Sequence, residues 1–442
     1  MMLKRLWLWS FPLLFLPNLG VGIATAQGGL ELSDFLIWSY LGLLVVATPV
    51  RRGLNVSRIT PLLGMFVLWA TASTLTIPLR YPYISNPLEV YGPFGLGNEQ
   101  VTFGLLKIAK LCLYGVAGIL TARALKDAEA RAAFDWSLLG GGVVTGLSLF
   151  VLGSGERTNE ASQGLTYSAT NGTSAMVAIL LVYLSARYLT GSGSRHWRQT
   201  APFGFVIMAA GFALSNGRGG WIAALAGLCY IAVRLGFRRQ LVVYGTLALV
   251  VVAALYQTQP DFKDQVDMTV FAPASTSGYQ GTRNVGSLDD GGRFENWSHE
   301  SRQFVHEPLL GTGFYHRGGL SGLWSTGSHN FFLQMFLETG VIGGTLVFAV
   351  VVSMWRQAGR LAAAEPYEDL ALKAALVAAI VAGFGGEYFY GGVILFALFA
   401  VYAPTGSTAR PASRTKDMVE HPGGWLAPPS PPPSAIARSR NV

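Results

Sequence analysis

Long apolar runs separated by short polar segments dominate the chain. They fall at about 34–50, 60–78, 102–121, 136–153, 173–190, 201–216, 220–235, 241–257, 331–355, 371–387 and 389–404. A further run lies within Met1–Gln27. Runs of roughly 17–25 apolar residues match the thickness of a bilayer's hydrocarbon core. The pattern therefore predicts an all-α integral membrane protein of about twelve transmembrane helices. In the opening segment Lys4 and Arg5 precede an apolar stretch that ends in Ala24-Thr25-Ala26. That order resembles a secretory signal with a small-residue cleavage site, but the stretch is also long enough to stay as a first helix. A retained helix is the expectation, and either outcome puts Gln27 outside.

Composition strengthens this reading. Of 442 residues 51% are hydrophobic and only 13% charged, against roughly 25% charged in soluble domains. The net charge of +8 does not indicate a nucleic-acid partner, because the Lys and Arg residues sit in short segments between apolar runs, where a topology signal puts them. Arg51, Arg52 and Arg58 share one such segment, and Arg123, Lys126 and Arg131 share another. Arg195 with Arg198, then Arg234, Arg238 and Arg239, then Arg356 and Arg360, continue the series, and the tail adds Arg410, Arg414 and Lys416. A twelve-span arrangement with both termini cytoplasmic puts all of them on one side. The expected location is the bacterial inner membrane, surrounded by its lipids. Cys112 and Cys229 lie inside apolar runs with no metal-ligand spacing and read as small apolar side chains.

The same arrangement leaves 79–101, 154–172, a tight turn at 217–219, and 258–330 outside. The last is the longest, rich in Gly, Ser, Asp and Asn, and it holds four of the six histidines. A loop of that length signals short helices and a function. The organisation expected is a polytopic membrane domain over 1–404, with the large extracytoplasmic loop 258–330 inside it carrying the chemistry. A Pro-rich, disordered cytoplasmic tail follows over 405–442.

Some cations break the topology rule. Arg218 lies in Ser215-Asn216-Gly217-Arg218-Gly219-Gly220-Trp221, between two apolar runs of about 15–17 residues. At 1.5 Å per residue such runs reach only about 25 Å, so the hairpin tip is expected to lie below the outer membrane surface. An arginine there either snorkels to headgroups or serves function, and function is the expectation. Lys107 and Lys110, three apart, share a helix face near the outer end of the fourth span. Snorkelling accounts for both lysines, and with Arg317 in the large loop they form the accessory candidates for anionic groups. The loop ends in a dense stretch with Gly292-Arg293-Phe294-Glu295-Asn296-Trp297, Pro308-Leu309-Leu310-Gly311-Thr312-Gly313, Ser328-His329-Asn330 and Leu337-Glu338-Thr339-Gly340. His329 stands where polar loop meets membrane helix, and an unperturbed histidine titrates near the pH that suits a general base. His299, His306 and His316 read as solvated loop residues. The sequence contains no His-Glu-x-x-His and no acidic cluster beyond Asp289-Asp290, so no metal site is expected. Arginine matches phosphate oxygens bidentately. These residues describe a membrane site that grips a phosphate-bearing, lipid-linked substrate.

Gly217-Arg218-Gly219, Arg293 to Trp297, Pro308 to Gly313, His329-Asn330 and Glu338-Thr339-Gly340 form an ordered series that resembles the O-antigen ligase and O-antigen polymerase superfamily. The resemblance is strongest over about 200–345. It implies a glycosyltransferase-C-like membrane fold and a metal-independent, inverting glycosyltransferase without a cofactor. The donor would be a glycan on undecaprenyl diphosphate. The acceptor would be a lipid A-core sugar in a ligase, or the growing glycan in a polymerase. Carried over, Arg218 and Arg293 hold the diphosphate, His329 activates the acceptor hydroxyl, and Glu338 is structural. The Pro-rich tail and the stretch 258–290 depart from the family's pattern, and the latter leaves the acceptor undetermined. Ligase, polymerase and protein O-oligosaccharyltransferase stay open within the class. A secondary transporter is the alternative of another class, disfavoured because no internal repeat is evident and an outer loop of about 70 residues is foreign to carriers. A non-catalytic envelope scaffold ranks below it.

Overall fold

A computed structural model of the protein describes residues 32–47, 59–80, 99–124, 128–152, 170–214, 218–236, 293–314, 330–362 and 366–385, with isolated positions between 250 and 263. The expected first helix, most of 241–257, the run 389–404 and the tail 405–442 lie outside the described residues.

The described chain is all-helical. In order the helices are α1 (Leu32–Ala47), α2 (Ile59–Leu75), α3 (Ile77–Arg80), α4 (Glu99–Ala124), α5 (Ala128–Leu152), α6 (Thr170–Leu189), α7 (Arg195–Leu214), α8 (Arg218–Leu235), α9 (Arg293–His306), α10 (Phe331–Ala362) and α11 (Pro366–Gly385). Each predicted apolar run that falls on described residues coincides with one of the longer helices. Differences lie at the ends. The α7 helix begins with a polar turn and a half, Arg195 to Thr200, which lengthens the helix without lengthening its apolar part. The α10 helix starts with its apolar run, extends past its end to Ala362, and is kinked.

The helices pack into two apolar clusters that share α6. One face of α6 sends Ala175, Ala178, Val182 and Ala186 into a cluster with α2, α8, α10 and α11. The other sends Val177, Leu180 and Leu184 toward α1, α4, α5 and α7. A helix that is apolar all round must be enclosed by others, and α6 is the centre of the bundle. The α5 and α7 helices meet backbone to backbone where a Cβ on Gly211 would overlap the Gly146 carbonyl. Small residues permit such an approach between helices in a bilayer, where apolar burial adds no drive.

Among the described residues the outside of the bundle carries large apolar side chains. Leu68 is 72% exposed, Phe203 74% and Val233 69%. Water would make such a surface an aggregation liability, whereas hydrocarbon solvates it. Among the described residues, Gly104–Thr121 and Phe331–Gly359 are long and apolar enough to cross a bilayer, and Ile59–Leu75, Ser174–Leu189 and Gly219–Leu235 are shorter apolar helices.

The bundle has two chemically distinct ends. At one, Arg187 near the end of α6 pairs with Asp135 of α5 at 2.8 Å, and the Trp197 indole of α7 donates to the Asp135 carbonyl at 3.2 Å. There too Asp369 of α11 meets Lys373 at 2.7 Å and Arg234 of α8 at 3.7 Å. Lys373 also lies over the Trp355 ring of α10, 5.4 Å from its centroid. We call this the basic end. The other end gathers the start of α4, α6, α8 and α10 and the close of α2 and α11. A Cβ on Gly220 of α8 would meet Ser174 of α6, and one on Gly104 of α4 would meet Thr74 of α2. Phe332 of α10 lies tilted against Phe384 of α11, ring centroids 5.0 Å apart.

Candidate functional site

The gathered helix ends opposite the basic end are joined by the segment Glu307 to Phe314, which follows α9. Pro308-Leu309-Leu310-Gly311-Thr312-Gly313 contains two glycines with positive φ, Gly311 at 68° and Gly313 at 107°. The chain doubles back on them and lies along α10 at its kink. There the Thr312 N–H donates to the Leu337 carbonyl at 2.8 Å, and the Gly313 N–H to the Glu338 carbonyl at 2.9 Å. In return the Val341 N–H donates to the Pro308 carbonyl at 2.8 Å. These are the groups that a break in a helix leaves without intrahelical partners.

The break sits at Gly340, with φ 66° and ψ −173°, a conformation essentially confined to glycine. A Cβ there would fall on the Leu309 carbonyl, and one on Gly311 would crowd the backbone of Glu338 and Gly340. The two glycines face each other, and each exists because the other main chain is so close. The 32 residues of α10 would reach about 48 Å unbroken, well beyond a core of about 30 Å. The break leaves a stub, Phe331–Thr339, ahead of a segment Val341–Ala362 that is by itself long enough to cross. Asn330 caps the stub: its side-chain oxygen accepts from the Phe332 N–H at 3.1 Å and the Leu333 N–H at 3.2 Å.

The knot is then clamped from α2 and α3. The Trp69 indole donates to the Thr339 carbonyl at 2.8 Å. Ser73 donates to the Leu310 carbonyl at 2.6 Å and, more weakly, toward the Glu338 carbonyl at 3.3 Å. The Phe314 N–H donates to the Thr74 hydroxyl at 3.1 Å. Arg80 donates to the Gly311 carbonyl and to the Ser73 carbonyl at 2.8 Å, and its guanidinium lies 3.4 Å from the Glu307 carboxylate. Hydrogen bonds with a charged donor contribute about 1.5–3 kcal/mol each, so Arg80 is a strong fastening.

The candidate residues relate to this knot as follows. Arg293 is the first residue of α9. That helix ends at the knot and packs on α10 through Phe304, edge-to-face with Phe336 at 6.3 Å. Arg218 is the first residue of α8, whose opening turn rests on Ser174. Trp221, in the same turn, closes the hairpin by donating to the Phe212 carbonyl at 3.2 Å. Lys107 and Lys110 are half-buried in α4. Lys107 comes one turn after Gly104, whose Cβ position abuts the Phe314 carbonyl and Thr74. His329 and Arg317 lie outside the described residues, but Asn330, next to His329, is buried as the cap of the stub. Starts of helices carrying Arg218 and Lys107, the cap beside His329, and the helix that begins at Arg293 thus belong to one end of the bundle. Glu338 is 1% exposed and accepts from the Gln334 amide at 2.5 Å, which fits its structural reading. Among the described residues no group of three or more His, Cys, Asp or Glu could hold a metal ion.

Trp69, Ser73, Thr74 and Arg80 had not stood out in sequence. Three of them sit inside an apolar run and read as helix filler. Arg80 carried a usable signal, being a cation on the outer side of the twelve-span arrangement, like Arg218.

Residues 203–348 match the family model described as O-antigen ligase. The matched stretch runs from α7 through α8, α9 and the knot into α10, and it contains Arg218, Arg293, Arg317 and His329. Over that stretch, about a third of the chain, the protein is similar to the O-antigen ligase family, whose members are membrane proteins. No curated protein matches the chain.

Proposed function

We propose that this protein acts as an O-antigen ligase or polymerase-type enzyme and transfers a glycan from undecaprenyl diphosphate to an acceptor hydroxyl, most simply a lipid A-core sugar, at the periplasmic face of the inner membrane. The observation that carries the reading is the gathering of the starts of α4, α8 and α10 with the close of α9 at the end opposite the basic one. If the basic end is cytoplasmic, as the charge rule requires, the knot end meets the periplasm, with about twelve spans and both chain termini inside.

In this reading Arg218 and Arg293 hold the diphosphate, matching its oxygens with planar donor pairs. Their charge offsets the negative charge that grows on the leaving diphosphate as the glycosidic bond breaks. His329 removes the proton of the acceptor hydroxyl as that oxygen attacks the anomeric carbon from the opposite face, so configuration inverts. The step runs on protein side chains without a metal. Lys107, Lys110 and Arg317 are accessory contacts for anionic groups of donor or acceptor. Polymerase action differs only in the acceptor, the end of a growing glycan.

The test is deletion in the host and restoration with wild type or His329→Ala, reading surface glycans on a gel. Polymer lost from lipid A-core but still present on its lipid carrier marks a ligase. Single-repeat product in place of long chains marks a polymerase. Purified protein should lose about 10²–10⁴-fold in rate with His329→Ala. Full activity with Arg218, Arg293 and His329 all replaced by Ala would sink the proposal.

A further inference from the structure

We infer that Arg80, outside the stretch that matches the family, is a positioning residue for the transfer reaction, acting through the knot rather than on substrate. The inference rests on the proposed function. Its basis is the way the knot is fastened. Arg293 opens α9, and His329 immediately precedes the capped stub of α10. The segment Glu307 to Phe314 ties the end of α9 to the break in α10, and so links the helix that opens with the proposed diphosphate anchor to the stub whose cap, Asn330, is next in sequence to the proposed base.

Arg80 is the side chain that binds this segment to the rest of the bundle from both of its sides. It reaches the Glu307 carboxylate at the end of α9 and the Gly311 carbonyl at the turn. Its third partner, the Ser73 carbonyl at 2.8 Å, belongs to the same residue whose hydroxyl grips the Leu310 carbonyl at 2.6 Å. The side chain of Arg80 is only 13% exposed. A guanidinium can serve three acceptors in fixed directions, whereas an ammonium is a point charge without a fork. Losing it leaves the segment tied to α2 through Ser73 and Thr74, but frees the Gly311 carbonyl and the Glu307 carboxylate, so the α9 end of the segment loosens against the stub. Reacting groups displaced by about 1 Å lose on the order of 10²-fold in rate.

The experiment compares wild type, Arg80→Ala, Arg80→Lys and Ser73→Ala as full-length protein in lipid nanodiscs. Donor is the undecaprenyl-diphosphate-linked glycan and acceptor is lipid A-core, with rates normalised to folded protein by size exclusion. Arg80→Ala should lower kcat about 10²-fold with donor KM within about threefold. Arg80→Lys should fall between it and wild type, and Ser73→Ala should shift kcat the same way by less. A merely structural loss would reduce folded protein and leave kcat per folded molecule unchanged, which would overturn the inference. A raised donor KM with kcat intact would also overturn it, by putting Arg80 on the substrate. If Arg80→Ala is not recovered folded, Ser73→Ala decides by the same criterion. Folded wild type that transfers no glycan would defeat the proposed function itself, a result distinct from an active wild type indifferent to Arg80.

Discussion

The two ends of the bundle are held together by different kinds of bond. At the basic end the fastenings are chiefly ion pairs between side chains, Asp135 with Arg187 and Asp369 with Lys373 and Arg234, with the Trp197 indole on the Asp135 carbonyl beside them. At the knot end most bonds involve main chain: Thr312, Gly313 and Val341 N–H groups, and the carbonyls of Pro308, Leu310, Leu337, Glu338 and Thr339. Ion pairs leave the backbone regular and can be exchanged for other pairs. Main-chain bonding requires the backbone to depart from the helix, and so demands particular residues where it departs. The comparison teaches that the knot end should be intolerant of small changes that the basic end absorbs.

Substitutions can break or sharpen that contrast. The largest effect is expected from Gly340→Ala, which combines a backbone conformation foreign to alanine with a Cβ on the Leu309 carbonyl. Folded protein should be largely lost from membranes, as read by a thermal melt in detergent. Wild-type melting in this variant would mean that the break is not needed. Next is Asp135→Ala. It takes the carboxylate from an arginine that is 8% exposed, and breaking a buried pair costs about 3–5 kcal/mol. Removing both charges, with Asp135→Ala and Arg187→Leu together, should recover much of that loss. The smallest is Arg234→Ala, since that side chain is 53% exposed and 3.7 Å from its partner. A shift of about 0–1 kcal/mol is expected, weaker still at high salt. A large loss there would erase the distinction between the two ends.

Much of the helical layout was legible because a bilayer imposes one signal, the long apolar run, on every span. The described helices α2, α4, α6, α8 and α11 begin and end within a few residues of their runs. The break in α10 was not legible in this way. Leu337-Glu338-Thr339-Gly340 stood out as part of a series, but the positive φ of Gly340 depends on Leu309, about thirty residues earlier, lying against it. Local pattern cannot report a contact made after folding. Trp69 and Ser73 were hidden for the converse reason. Within an apolar run an indole or hydroxyl looks like filler, and its partners are carbonyls that carry no side-chain signature. Arg218 stood out because charge in the wrong place is costly, and Arg293 through the motif series it belongs to; both are first residues of helices.

The break at Gly340 also has a mechanical side. The stub from Phe331 to Thr339 is an arm about 13 Å long, hinged at one residue and bearing Asn330 just beyond its far end. An angular error of about 4° at the hinge sweeps that end through about 1 Å. Stiffness at Gly340 therefore sets how accurately the arm's tip is aimed. The indole, hydroxyl and guanidinium that crowd around the hinge act as a bearing, far from the point whose placement they govern.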